Sequence, residues 1–132
     1  MLATRSQLSV EFIILFSGML LIFVILFSTY FNKQQELDSQ NMLFEAKSIT
    51  HELAWSINSV HTSGFGTNTS ITIPTTLLGK TNFNITNYGN SIWILWAGGS
   101  YSYPLITDNV SVTYSKKSQF TVYDSGNGVV VS

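Results

Sequence analysis

Few residues in this chain have the types and spacing that chemistry requires. His51-Glu52 begins the pattern H-E-x-x-H, in which two histidines one helical turn apart hold zinc and the glutamate serves as base, but position 55 is Trp and the second ligand is missing. His51 and His61 have no third ligand candidate near them and read as solvated helix-face residues. There is no G-x-S-x-G nucleophile turn and no glycine loop opening a helix to cradle phosphate, and Asp108 and Asp124 both fall in turns instead of pairing. The absence of cysteine removes thiolate nucleophiles, Cys-based zinc sites and disulfides. Only 10% of the residues are charged, the net charge is −1, and the one adjacent basic pair is Lys116-Lys117, so the concentrated basic patch that nucleic acid needs is missing as well. The expectation is a protein that is not an enzyme, with no metal, no cofactor and no nucleic-acid partner.

One charged group remains to be explained, Glu11. It stands at the edge of FIILFSGMLLIFVILFSTYF, residues 12–31, a run with no charge until Lys33. At 1.5 Å per residue this run makes a helix of about 30 Å, the thickness of a bilayer's hydrocarbon core. A cleaved secretory signal would have a shorter core with small residues behind it, whereas this run ends in Thr29-Tyr30-Phe31-Asn32. A buried helix of a soluble domain would need more surrounding chain than 132 residues provide. Arg5 on the short N-terminal side and Lys33, Glu36 and Asp38 on the other place the N-terminus in the cytoplasm and the last hundred or so residues outside. Ser17-Gly18 is a small patch that would let helices approach closely in lipid, or a merely tolerated glycine.

Two readings of Glu11 stand. In one, Ser9 caps the helix and Glu11 meets the positive end of the macrodipole, worth a few tenths to about 1 kcal/mol. In the other, a carboxylate beside apolar neighbours needs a cation, and a cut just before Gln7 would create an α-amino group, charged at neutral pH, four residues upstream. Two chains stacked with a small axial offset would set one chain's amine beside its neighbour's carboxylate. At about 4 Å and an effective dielectric near 20, such a pair attracts by roughly 4 kcal/mol before desolvation is subtracted. Its value lies in fixing register, because apolar helices otherwise slide past one another freely.

Gln7, Ser9, Glu11 and Leu15 fit Q-x-S-x-E-x-x-x-L, and a short leader precedes them and a membrane-length run follows. In this the chain resembles the archaeal type IV pilin-like proteins with class III signal peptides. Ser6 stands where that family more often has glycine. The resemblance implies that a prepilin peptidase cuts between Ser6 and Gln7, that residues 1–6 are a leader peptide, and that Glu11 sets the register of subunits in a filament. It covers the first thirty or so residues and carries nothing over for the rest.

From Lys33 the composition turns amphipathic, and Met42, Ala46, Ile49, Leu53, Ile57 and Val60 recur at helical spacing. No glycine or proline stands between Tyr30 and Val60, so one helix is expected over residues 7–63, its 12–31 portion in membrane or filament core and its 33–62 portion amphipathic. Ser63-Gly64 with Gly66 ends it. The stripe from Ile49 to Val60 is expected to pack on the domain that follows, and Leu37 to Phe44 to meet neighbouring chains. Residues 64–132 then alternate in period two between turns at Asn87 to Asn90, Gly98-Gly99, Lys116-Lys117-Ser118 and Ser125 to Gly128, giving five or six antiparallel strands. The fold class is therefore α+β, a long helix followed by a small extracellular β-sheet domain on its C-terminal half.

Ile92 to Trp96 is apolar on both faces, which predicts a central strand with the helix on one side and either a neighbouring subunit or a folded-back loop on the other. Trp93, Trp96, Tyr101, Tyr103 and Tyr114 fill a small core or line a sugar-binding surface. Asn68, Asn84 and Asn109 each head an N-glycosylation triplet, Asn68-Thr69-Ser70, Asn84-Ile85-Thr86 and Asn109-Val110-Ser111. Three such triplets are close to what chance supplies, but all lie in the segment expected outside the cell.

The expected function is a structural subunit of an archaeal type IV pilus-like surface filament, made as a membrane-inserted precursor. Its partners would be the peptidase, membrane lipid before assembly, and copies of itself or related pilins. The alternatives are a permanently anchored single-pass surface protein with a β-rich binding or adhesion domain, and a minor pilin-like subunit.

Overall fold

No proline stands between Leu2 and Ser63, and Gly18 is the only glycine, so nothing in the backbone chemistry interrupts a helix there. The structure, a computed structural model, describes the backbone from Leu2 to Ser132 and the side chains from Ser9 onward. Helix α1 is unbroken over Leu2–Ser63. It ends where predicted: Gly64 takes φ +84° and its N–H donates to the Val60 carbonyl at 3.0 Å, closing the last turn with a left-handed residue. The chain divides into two compact units, one ending at Asp38 and one from Ser39 to Ser132, and α1 contributes to both.

Within the second unit the helical stripe does what its periodicity requires. Ala46, Ile49, Leu53, Ile57 and Val60 are buried, joined by Ala54, with Met42 packed at the edge. Thr50 shares this buried face and satisfies its hydroxyl by donating to the Ala46 carbonyl at 2.7 Å. At roughly 1.5–3 kcal/mol for each large side chain fully withdrawn from water, this stripe is a main source of the domain's stability.

Seven strands follow: β1 (Asn68–Thr72), β2 (Phe83–Tyr88), β3 (Ser91–Trp96), β4 (Gly99–Pro104), β5 (Val110–Val112), β6 (Gln119–Asp124) and β7 (Val129–Val131). They form two sheets, of order β1-β6-β7-β5 and β2-β3-β4. Strand β3 is central in its sheet, as its apolar run predicts. The α+β class stands, but the strands number seven and one pair, β5 with β7, is parallel. The cause is topological. β5 and β6 run in opposite directions with a gap between them, and β7, returning from β6 as a hairpin, fills that gap and must lie parallel to β5.

The inner faces of both sheets cover the helix. Ile71, Phe120 and Val122 come from one sheet and Phe83, Ile85, Ile92 and Ile94 from the other, alternating with exposed neighbours as a half-buried strand does. The sheets are tied by the Asn87 side-chain amide, which donates to the Val110 carbonyl at 2.7 Å. Residue Leu77, fully buried, pins the connection between β1 and β2 through a bridge to Thr81.

Candidate assembly site

Glu11 is the tenth residue of α1, well inside the helix. The N-cap reading of Ser9 is therefore corrected: the sequence from Leu2 to Leu8 holds no glycine or proline, so the helix begins upstream, and Ser9 and Arg5 both belong to it. In the uncut chain Glu11 gains nothing from a helix end, because the macrodipole acts only over the first turn. Among the described residues it has no cationic partner, the one described salt bridge being Lys33 to Glu36 at 2.7 Å.

Ser9, Glu11 and Leu15 are all exposed, while the predicted cleavage residues Ser6 and Gln7 lie outside the residues whose side chains are described. Four- and seven-residue steps bring Leu15 and Gly18 onto the same face of α1 as Glu11. Gly18 has open space where a side chain would stand, and the notch it leaves is lined by Ile14, Leu15, Met19 and Ile22. The carboxylate thus heads a face with a shallow, apolar recess seven residues further on.

The rest of the span is uncovered. One helix among the described residues is long and apolar enough to cross a membrane, with a mean hydropathy of 2.8 over its most apolar window and none of that window buried. Its side chains find only one another: Phe12 stacks on Phe16 with ring centroids 6.2 Å apart, and Phe27 meets Phe31 edge-on at 4.7 Å. Such a surface needs lipid or other apolar helices around it.

Of the stretch from Leu37 to Phe44 expected to meet neighbouring chains, both end residues are exposed, and on the second unit so is Trp55, at 66%. Beside Trp55 an open groove of about 600 Å³ runs between Lys47, His51, Glu52 and Tyr101. The Lys47 ammonium lies 5.6 Å from the Tyr101 ring centroid, and His51 meets Tyr103 edge-on at 5.0 Å. His51 and His61 are exposed, and no three of His, Asp and Glu converge among the described residues. Sequence reasoning missed this groove because it joins residues of two elements some fifty positions apart. Of the aromatics, Trp96, Tyr101 and Tyr103 pack against the core, Tyr114 stacks inside on Phe120 at 5.6 Å, and Trp93 faces outward.

The three glycosylation triplets are placed differently. Asn68 opens β1 opposite Tyr123, Asn84 sits in β2 opposite Leu95, and both are exposed. Asn109, also exposed, is tied into the junction of β5 and β7: its side-chain amide donates to the Asn127 carbonyl, its own carbonyl accepts from Val129 N at 3.0 Å, and its N–H donates to Thr107 Oγ1 at 3.2 Å. No family model matches the chain, and no curated protein or solved structure matches it either.

Proposed function

We propose that this chain is a structural subunit of an archaeal type IV pilus-like surface filament, inserted in the membrane as a precursor and cut by a prepilin peptidase between Ser6 and Gln7. The observation that carries the proposal is a single helix whose residues 12–31 are exposed on every side, with one carboxylate at their head, and whose C-terminal stripe is buried in its own domain. An anchor needs the first feature but gives Glu11 no task.

Cleavage gives it one. Removing six residues makes Glu11 the fifth residue of the chain, about one turn from the new N-terminus, and creates an α-amino group for a neighbour's carboxylate to meet. The recess at Gly18, on the same face, lets a second helix come close. Extracting the span into water would be prohibitive at about 25 cal/mol per Å² of apolar surface, so subunits pass sideways from lipid into a bundle of like helices, exchanging one apolar setting for another.

Replacing Glu11 with Ala tests the role of the carboxylate. Electron micrographs of the cell surface should show filaments lost while the precursor still fractionates with membranes; filaments in normal number would refute it. A permanently anchored surface protein with a binding or adhesion domain is the second reading, and the groove between Trp55, Lys47 and Tyr101 favours it, since an aromatic wall beside hydrogen-bonding groups suits a sugar. A minor subunit of the same filament would share every feature and differ in abundance.

A further inference from the structure

The outer face of the β2-β3-β4 sheet is unusual for a surface. Trp93 and Leu95 project from its central strand, Leu95 38% exposed, and Tyr88 sets its ring edge-on against Trp93 at 6.2 Å. Around them the same face carries Thr86, Ser100 and Ser102. An apolar strip of this kind on a central strand calls for a cover, and among the described residues of the second unit no sheet or helix packs on that side, since both sheets turn their buried residues toward the helical stripe.

We propose that the cover is a glycan on Asn84, and that Asn109, which heads the same kind of triplet, stays bare. Asn84 alternates with buried Phe83 and Ile85, so it projects from the outer face, and the strand register puts it directly opposite Leu95 with Trp93 on the diagonal. Side chains opposite one another in this way lie about 5 Å apart and diagonal ones about 7–8 Å. The first sugars on Asn84 therefore begin beside the apolar strip, where the C–H faces of their rings can lie on Leu95 and the Trp93 ring while their hydroxyls reach Ser100, Ser102 and water. Among the described residues the Asn84 side chain makes no hydrogen bond that modification would have to break.

Asn109 is exposed as well, but it leads into the other sheet and its side chain is already engaged. Its amide nitrogen donates to Asn127, and its carbonyl and side-chain oxygens press so closely on Gly128 that a Cβ there would fall 2.5 Å from the carbonyl oxygen. A glycan would take the remaining Nδ2 hydrogen and have to fit against this packed junction, with no apolar strip beside it.

The chemistry uses a polyprenyl-phosphate-linked oligosaccharide as donor. A bond forms between the anomeric carbon and Asn84 Nδ2, the anomeric carbon's bond to the phosphate oxygen breaks with its electron pair leaving on the lipid phosphate, and one Nδ2 proton passes to a base of the transferase. Because such transfer takes place outside the cytoplasmic membrane, the proposal rests on the extracellular placement of the β domain in the reading above, and on no other part of it.

The test is peptide mass spectrometry with electron-transfer fragmentation on the full chain from its native surface fraction, followed by thermal unfolding of the native protein and of an Asn84→Gln variant made in the same cells. Asn84 should be occupied and Asn109 unmodified, and the variant should melt about 2–5 °C lower, with the difference abolished when the strip is removed by Trp93→Ser in both backgrounds. An unmodified Asn84, a glycan on Asn109, or an Asn84 glycan whose loss leaves the melting temperature unchanged would overturn the proposal. A bare Asn84 on chains that begin at Gln7 would sink this inference alone, and an occupied Asn84 on uncut chains would sink the filament reading alone.

Discussion

The backbone N–H of Leu78 donates to the carboxylate of Glu45 at 2.5 Å, across 33 residues of chain. Leu78 is the one non-glycine residue described with positive φ, at +50°, a conformation that an L side chain holds only at a penalty of about 1–2 kcal/mol. Helix α1 thus fixes the strained corner of the loop that carries buried Leu77 into the core. Glu45→Ala should lower unfolding stability by about 1 kcal/mol, read as a lower denaturant midpoint at unchanged slope for the chain in detergent. An unchanged midpoint would mean that packing of Leu77 alone holds the loop.

Tyr114 offers the opposite opportunity. Its ring packs against those of Phe120 and Phe83, and its hydroxyl oxygen is buried with no hydrogen-bond partner among the described residues. Burial pushes its pKa above the usual value near 10. The folded chain therefore holds this proton more tightly than the unfolded chain, so the associated stability is complete below pH 10 and is lost as pH rises above it toward the folded-state value. Tyr114→Phe should flatten that alkaline loss relative to the native protein. It should also raise stability at neutral pH by about 1 kcal/mol, since an unpaired buried hydroxyl is removed.

Gly128 takes φ +140° against Asn109, so Gly128→Ala combines backbone strain with a clash against main-chain atoms that cannot swing away. A loss of about 2 kcal/mol or more is expected. Amide exchange should quicken first at Val129, whose N–H bonds the Asn109 carbonyl. Uniform quickening across both sheets would show that the junction has no local identity.

The sequence made some of this plain and hid the rest for physical reasons. The stripe from Met42 to Val60 and the stop at Gly64 were legible because helical periodicity and a left-handed glycine are local signals. The hairpin of β3 and β4 was legible from its glycines. The parallel pairing of β5 and β7 was not, because runs as short as Val110–Val112 and Val129–Val131 carry no direction, which only the β6–β7 hairpin imposes. The start of α1 was misplaced because Ser9 is a competent cap that nothing forced into use. At the candidate assembly site the face shared by Glu11, Leu15 and Gly18 follows from spacing alone, whereas the groove beside Trp55 depends on tertiary contacts no spacing encodes.

The central claim is that the working form of this chain has lost its first six residues. Intact-mass and N-terminal peptide analysis of the protein from its native cell surface addresses it directly. The account predicts chains that begin at Gln7, found in sheared filaments. Chains that retain the residues before Gln7 and stay with the membrane would contradict it.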